Sequence, residues 1–375
     1  MTDATVQERC IKCLFPMAAP GGQEHYEKVC QACHTGFPNY QPKGEEALLA
    51  SLEKYRGKGC NADLLVAVSG GKDSCFSLWK LATDYRMRVE AFTYYHDAHT
   101  DLAMQNAKNV CKDAGVRHHI VALPRHIHLR LFRSFFTAWV HHPDPVTAAM
   151  VCVGCKYMHI LGKQLAKQRG IPVIIWSATP LEAPYFLPTR STSSSVVERK
   201  SMVGLGIDMM RKMMTDYRFL TAVLSHLPTC FFGCIAYHPD TKYLRLRFRG
   251  VENLHFFEYY PWNAKVIRED LETRTHWRRP VDSPFDWHSD CLIDVYKEYM
   301  FQTMLGVSYT DGHISNQIRT GLLSYQEGLQ DLKESKEHYR QACTSTLAKL
   351  GLQHLQDKIN PSCFSVFEST PEPPE

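Results

Sequence analysis

Ser69-Gly70-Gly71-Lys72-Asp73-Ser74 stands between a run of strand-forming residues and the start of an amphipathic segment. Ala62 to Val68 (Ala-Asp-Leu-Leu-Val-Ala-Val) has the apolar composition of a strand buried in a parallel sheet, and Cys75 to Ala82 carries its apolar residues at helical spacing. Strand, glycine loop and helix follow in that order. Two adjacent glycines permit positive φ and a close backbone approach to an anion, and the first turn of a helix leaves N–H groups without partners. The segment therefore predicts a phosphate cradle. It lacks the four residues that a Walker A loop places after its first glycine, and it lacks G-x-G-x-x-G.

Outward from the loop, the chain alternates between two periodicities. Helices are expected over 45–55, Asp101–Gly115 and Met158–Arg169, and strands over Val89–Tyr95, His119–Leu123 and Pro172–Trp176. Such alternation implies parallel crossovers, hence a doubly wound α/β sheet with its ligand outside the carboxyl ends of the strands. Residues 45–240 would form this domain and 1–44 an N-terminal zinc knuckle with its linker. A mainly helical substrate region would span 241–360, and 361–375, ending Ser-Thr-Pro-Glu-Pro-Pro-Glu, reads as a disordered tail.

A chain of 375 residues with 44% hydrophobic content can bury the core of an enzyme. Its net charge of +4 is too small to point to nucleic acid, which is not expected as a partner. Lys242, Arg245, Arg247 and Arg249 alternate as on the solvated face of a strand, and Arg274, Arg278 and Arg279 could bind phosphate. No stretch comes near the about 18 apolar residues of a membrane span, and Met1 to Arg9 has no signal-peptide core, so a cytoplasmic protein is expected.

Fourteen cysteines in a reducing compartment call for metal rather than disulfides. Cys10-x-x-Cys13 and Cys30-x-x-Cys33 have the spacing of two knuckles closing a tetrahedral Zn²⁺ site. Four thiolates leave no place for water, so the site is expected to be structural; His25 or His34 could replace one cysteine. Cys152-x-x-Cys155 and, further on, Cys230 and Cys234 could hold an iron–sulfur cluster, a second zinc or nothing.

Ser69 to Ser74 resembles the PP-loop of the ATP pyrophosphatases, in the adenine nucleotide α-hydrolase-like superfamily. That resemblance implies binding of ATP and Mg²⁺, attack of a substrate oxygen on the α-phosphorus, and release of pyrophosphate. Ser69, Gly70, Gly71 and Ser74 would cradle phosphate, Lys72 would neutralise charge, and Asp73 would orient the metal or the loop. Adenine would stack near Tyr94, Tyr95 and His96, which could equally be core aromatics. Ser177, Thr179 and Glu182 would face the α-phosphate or cap a helix.

Two further resemblances concern the group transferred. Cys152 and Cys155, with Cys230 or Cys234 as a third ligand and Lys156 beside them, resemble the cysteines of PP-loop thiolases that carry sulfide on a 4Fe-4S cluster. This implies a sulfurtransferase acting on a small nucleobase, nucleotide or amide acceptor, with a sulfur donor as partner. Phe257-Glu258-Tyr259-Tyr260-Pro261-Trp262-Asn263, Tyr309-Thr310-Asp311-Gly312-His313-Ile314-Ser315, Ile318-Arg319-x-Gly321 and Glu327-Gly328-Leu329 instead resemble N-acetyl sugar amidotransferases. So does the N-terminal knuckle. Those enzymes use ammonia from a partner glutaminase, and Cys152/Cys155 depart from their pattern. A homodimer is expected in either case. Asp311 and His313 could move protons or be structural, and Thr189–Ser195, with Glu198-Arg199-Lys200 and Gly204 and Gly206, reads as a lid or an ordinary loop.

Overall fold

Alternation of apolar side chains on short strands generates a five-stranded parallel sheet in the computed structural model, which describes residues 8–20, 22, 24–26, 28–37, 40–182, 202–280 and 290–364. Strands β1 (Glu24–Tyr26) and β2 (Val29–Cys30) form a small antiparallel pair within the cysteine knuckle. The main sheet holds β3 (Leu64–Ala67), β4 (Val89–Tyr95), β5 (Arg117–Ala122), β6 (Val173–Trp176) and β7 (Glu252–His255) in the order β5-β4-β3-β6-β7. The order reverses direction at β3, which pairs in parallel with β4 on one side and β6 on the other. That reversal opens a crevice at the carboxyl ends.

Both faces of the sheet are covered. Leu64 and Val66 face a core built from the helices Glu45–Glu53, Lys72–Trp79, Asp101–Asp113 and Ala264–Arg274. Leu65 and Ile174 face the opposite way, onto the helix Tyr157–Arg169. This is the period of two expected of strands buried on both sides. The doubly wound expectation holds, with helix and strand ends moved by a few residues. The exception is β7: Glu-Asn-Leu-His has too little apolar character to read as a strand, and its partner β6 supplies the ladder.

A second, larger core is helical and joins distant parts of the chain. Phe132, Phe135, Phe136 and Trp139 of the helix Ile127–His141 pack with Tyr296 and Met300 of Ile293–Leu305 and with Tyr339 of Tyr325–Ser345. Cys10, Cys13, Phe15 and Cys30 belong to the same core. Where the basic run suggested a strand, Lys242–Arg247 is a helix. Leu244 buries with Phe248, four residues on, against Ile160 and Ala236, so packing at helical spacing overrides the alternation of charge.

One helical run bears on the expectation that no stretch suits a membrane. Among the described residues the 25-residue helical run Pro145–Arg169 is long and apolar enough to span one, though half of its most apolar window is buried in the fold. Residues 189–195, 198–200 and 365–375, most of the expected lid and of the expected tail, lie outside the described residues, while Gly204 and Gly206 fall within the helix Met202–Thr215. Pro361–Phe364, expected to begin the disordered tail, form a short helical turn that buries Phe364 in the helical core.

Asp311 ties the knuckle to the helical core. Its carboxylate accepts from Arg9 Nη1 at 2.7 Å, Lys336 Nζ at 2.6 Å and both the amide and hydroxyl of Ser308 at 2.8 Å. Asp311, Arg9 and Lys336 are all buried. Although burial opposes ionisation, Lys336 and Arg9 hold the carboxyl well below the ordinary range. Both oxygens are thus engaged by structural partners, the second of the two roles open to Asp311.

Asp311→Asn removes the anion that buried Arg9 and Lys336 share and should cost roughly 3 to 5 kcal/mol in urea unfolding. Because the folded carboxyl is depressed, its contribution is present above about pH 3.9 and is lost as pH falls toward the lowered folded value. The variant should therefore show a shallower loss of stability on acidification than the parent.

Candidate functional site

The glycine loop follows β3 at the crevice. Gly71 lies outside the first turn of Lys72–Trp79, and Gly70 has φ +92°. A Cβ at Gly70 would stand 1.9 Å from the carbonyl oxygen of Ala103, in the first turn of Asp101–Asp113. Glycine is therefore required twice over, by conformation and by space. Ser69 N donates to Ser74 Oγ at 3.1 Å and Gly71 N to Ser69 Oγ at 3.3 Å. The two hydroxyls thus hold the amides that an anion would take, while Ser69, Gly71 and Asp73 keep part of their surface accessible.

Two tryptophans from the C-terminal half hold this loop. Trp262 Nε1 donates to Asp73 Oδ1 at 2.8 Å, and Trp277 Nε1 donates to the carbonyl of Gly70 at 3.1 Å. Lys72, 2% exposed, pairs with Asp73 Oδ2 at 3.0 Å and lies 5.2 Å from the Trp262 ring centroid. Its charge therefore sits at the base of the loop. Trp262 belongs to the aromatic segment that sequence reading singled out; Trp277 carried no motif, and only its neighbouring arginines drew attention.

The loop after β6 is drawn to the same place. Ser177 Oγ hydrogen-bonds Ser77 Oγ on the helix that follows the glycine loop. Thr179 is buried and accepts from Leu181 N at 3.4 Å, opening the short turn Pro180–Glu182, so it has the capping role weighed for it. The carbonyl of Leu181 accepts from Asn316 Nδ2 at 2.9 Å and lies 3.4 Å from His313 Nδ1. The His313 ring meets the Trp262 ring edge to face at 5.4 Å. The segments 257–263 and 309–315 therefore meet beside the glycine loop, which Trp262 contacts directly.

At the carboxyl end of β4, Tyr94 and His96 turn inward and Tyr95 remains 39% exposed, stacked on His99. Tyr94 donates its hydroxyl to the carbonyl of Gly154 at 3.0 Å and lies 3.3 Å from His128 Nδ1. His96 stacks on His128 with ring centroids 4.2 Å apart. His128 Nε2 is 3.6 Å from Cys155 Sγ, and the neighbouring Cys155 thiol together with burial pushes the Cys152 thiol well above its ordinary range. Burial pushes the imidazoles of His96 and His128 below their ordinary range, so both are neutral near pH 7. Lys156 adds to the burial that pushes His159 down to about 3.

Cys230 and Cys234 lie on the helix Leu227–Ile235, which packs on the 153–156 turn through Gly233. The Cys234 sulfur faces Met150 at 4.0 Å, and neither cysteine joins the donor atoms grouped around Cys155. His128 supplies a donor in their stead. It lies on an amphipathic helix with no motif around it, so only the fold reveals it. A further group, His238, Asp240 and His255, is partly exposed, with His255 Nε2 3.1 Å from Asp240.

In the knuckle, the sulfurs of Cys10, Cys13, Cys30 and Cys33 all lie within 4.8 Å of one another. His34 is not among these donors, and the His25 side chain lies outside the described residues. Cys13 and Cys30 are 3.6 Å apart, the Cys30 amide donates to Cys10 Sγ at 3.3 Å, and Arg319 donates to Cys30 Sγ at 3.2 Å. Contact with Cys13, aided by Cys33 and opposed by Cys30 and burial, lowers the Cys10 thiol to about 6. Four soft donors so gathered, with a guanidinium against one, fit Zn²⁺ and leave no coordination position for water.

The chain matches no protein-family model, and no curated protein resembles it significantly in sequence. Among solved structures it is similar to NMN synthetase from Francisella tularensis, with 12% identity, a TM-score of 0.35 and coverage of 81% of this chain and 92% of that one. It is also similar to an NH3-dependent NAD synthetase from Campylobacter jejuni in complex with the nitrate ion, with 10% identity, a TM-score of 0.28 and coverage of 52% and 94%. Neither likeness bears on the chemistry.

Two substitutions separate the roles of these sites. Gly70→Ala should push the loop off the first turn of Asp101–Asp113, read as a lower melting temperature, and should abolish any binding of ATP with Mg²⁺ that calorimetry finds in the parent. Cys10→Ser should yield protein that loses one equivalent of zinc and melts several degrees lower, as expected when a closed structural site loses a thiolate.

Proposed function

We propose that this chain is an ATP-dependent adenylating enzyme of the PP-loop type. The observation that carries the proposal is the Ser69–Ser74 loop itself, glycine-dependent, latched by Trp262 and Trp277, and set at the topological switch of a parallel sheet. Its amides and the first turn of Lys72–Trp79 would receive the β and γ phosphates, with Mg²⁺ shielding their charge. A carbonyl or amide oxygen of a small acceptor then attacks the α-phosphorus, pyrophosphate leaves, and the acceptor carbon carries a departing AMP. Tyr95, the exposed aromatic at the end of β4, is the candidate for stacking on adenine.

Sulfur is the entering atom favoured by Cys152 and Cys155, whose thiols sit beside buried imidazoles at the same edge of the sheet. Hydrosulfide from a partner sulfur donor would attack the adenylated carbon, and AMP would depart with the original oxygen. The second reading, ammonia from a partner glutaminase acting on an N-acyl nucleotide sugar, is favoured by the contacts of Trp262 and His313 around the loop. A cytosolic location and a homodimer belong to either reading.

The test is acceptor-dependent release of pyrophosphate from ATP, followed by mass analysis of the product with labelled sulfide or labelled ammonia. Asp73→Asn should lower turnover by about 10²-fold with the fold intact, since Asp73 fixes the loop between Lys72 and Trp262. A parental rate in this variant, or no uptake of triphosphate by the parent, would overturn the proposal.

A further inference from the structure

We propose that His96, His128 and Cys155 form a second, mononuclear metal centre that takes a zinc-class divalent cation. Their donor atoms lie within 4.8 Å of one another, and His96 and His128 are 7% and 2% exposed. His96 Nδ1 is buried and has no hydrogen-bond partner, a costly state for an imidazole in a packed interior. A cation at this point would satisfy it.

The proton on His128 can be placed from its neighbours. Tyr94 spends its hydroxyl proton on the Gly154 carbonyl, so it can only accept from His128 Nδ1–H. The lone pair is thereby left on Nε2, which faces Cys155 Sγ at 3.6 Å. A hydrogen bond from the far ring nitrogen, as here to Tyr94, fixes the tautomer and aim of a ligating histidine. Gly154 permits it, because a Cβ there would stand 2.9 Å from His128 Nδ1.

The donor chemistry selects the ion. Two imidazole nitrogens and one thiolate suit zinc, whereas thiolate-only sets suit iron–sulfur clusters. Three protein ligands leave one position open for an exogenous ligand. The centre would lie over the carboxyl end of β4, on the same edge of the sheet as the glycine loop. The inference rests on donor geometry and stands or falls independently of adenylation.

Elemental analysis of the full-length protein should find two zinc equivalents per chain. His128→Ala and Cys155→Ser should each lose one and keep the other, whereas Cys10→Ser should lose the complementary one. In cobalt-substituted protein, His128→Ala should leave only the spectrum of an all-thiolate site. Cys155→His, which exchanges one ligand for another, should retain both equivalents with weaker sulfur-to-cobalt charge transfer. A single equivalent in the parent, unchanged metal in both His128→Ala and Cys155→Ser, or iron and labile sulfide that depend on Cys230 or Cys234 but survive His96→Ala would overturn the assignment.

Discussion

The hydrogen bond from Trp262 Nε1 to Asp73 is the constraint around which the rest of the crevice is organised. A glycine loop has little intrinsic order, because glycine loses more conformational freedom on folding than any other residue. Order has to come from outside, and here it comes from indoles of the C-terminal half, one on the acid and one on the Gly70 carbonyl. Tyr40 extends the clamp by accepting from Trp262 N at 3.2 Å while donating to the Phe257 carbonyl at 2.8 Å. The glycine loop is thus held by a segment about 190 residues away, and the sheet alone would not position it.

This arrangement explains why the two halves cannot be treated as a nucleotide domain with an appendage. Phe256, Phe257 and Trp262 are in the core that covers one face of the sheet, together with Leu64, Val66 and Phe76. The helical core is equally composite, since knuckle cysteines and residues beyond 290 bury against Ile127–His141. Apolar burial of this kind is non-directional, and the directional contacts at Asp73, Asp311 and Leu181 select one arrangement among those that would bury similar area.

What could be read in the sequence was what local chemistry encodes. Ser69–Ser74, β3, β4 and β6 announce themselves through glycine placement and apolar runs, and the knuckle through cysteine spacing. Contacts that depend on the whole path of the chain were silent. His128 and Trp277 sit in unremarkable surroundings, and their partners Cys155 and Gly70 are 27 and 207 residues away. Charge alternation misled at Lys242–Arg247 because the burial of Leu244, invisible in the pattern, decided for helix.

Arg319 gives the knuckle a reach beyond its own fold. The guanidinium touches Cys30 Sγ at one end and Asn316 Oδ1 at 3.0 Å on the other, and Asn316 in turn holds the Leu181 carbonyl that closes the loop after β6. Cation and crevice are therefore coupled by three consecutive polar contacts. A change in the geometry of the four sulfurs would thus be transmitted along this path to the turn that follows β6.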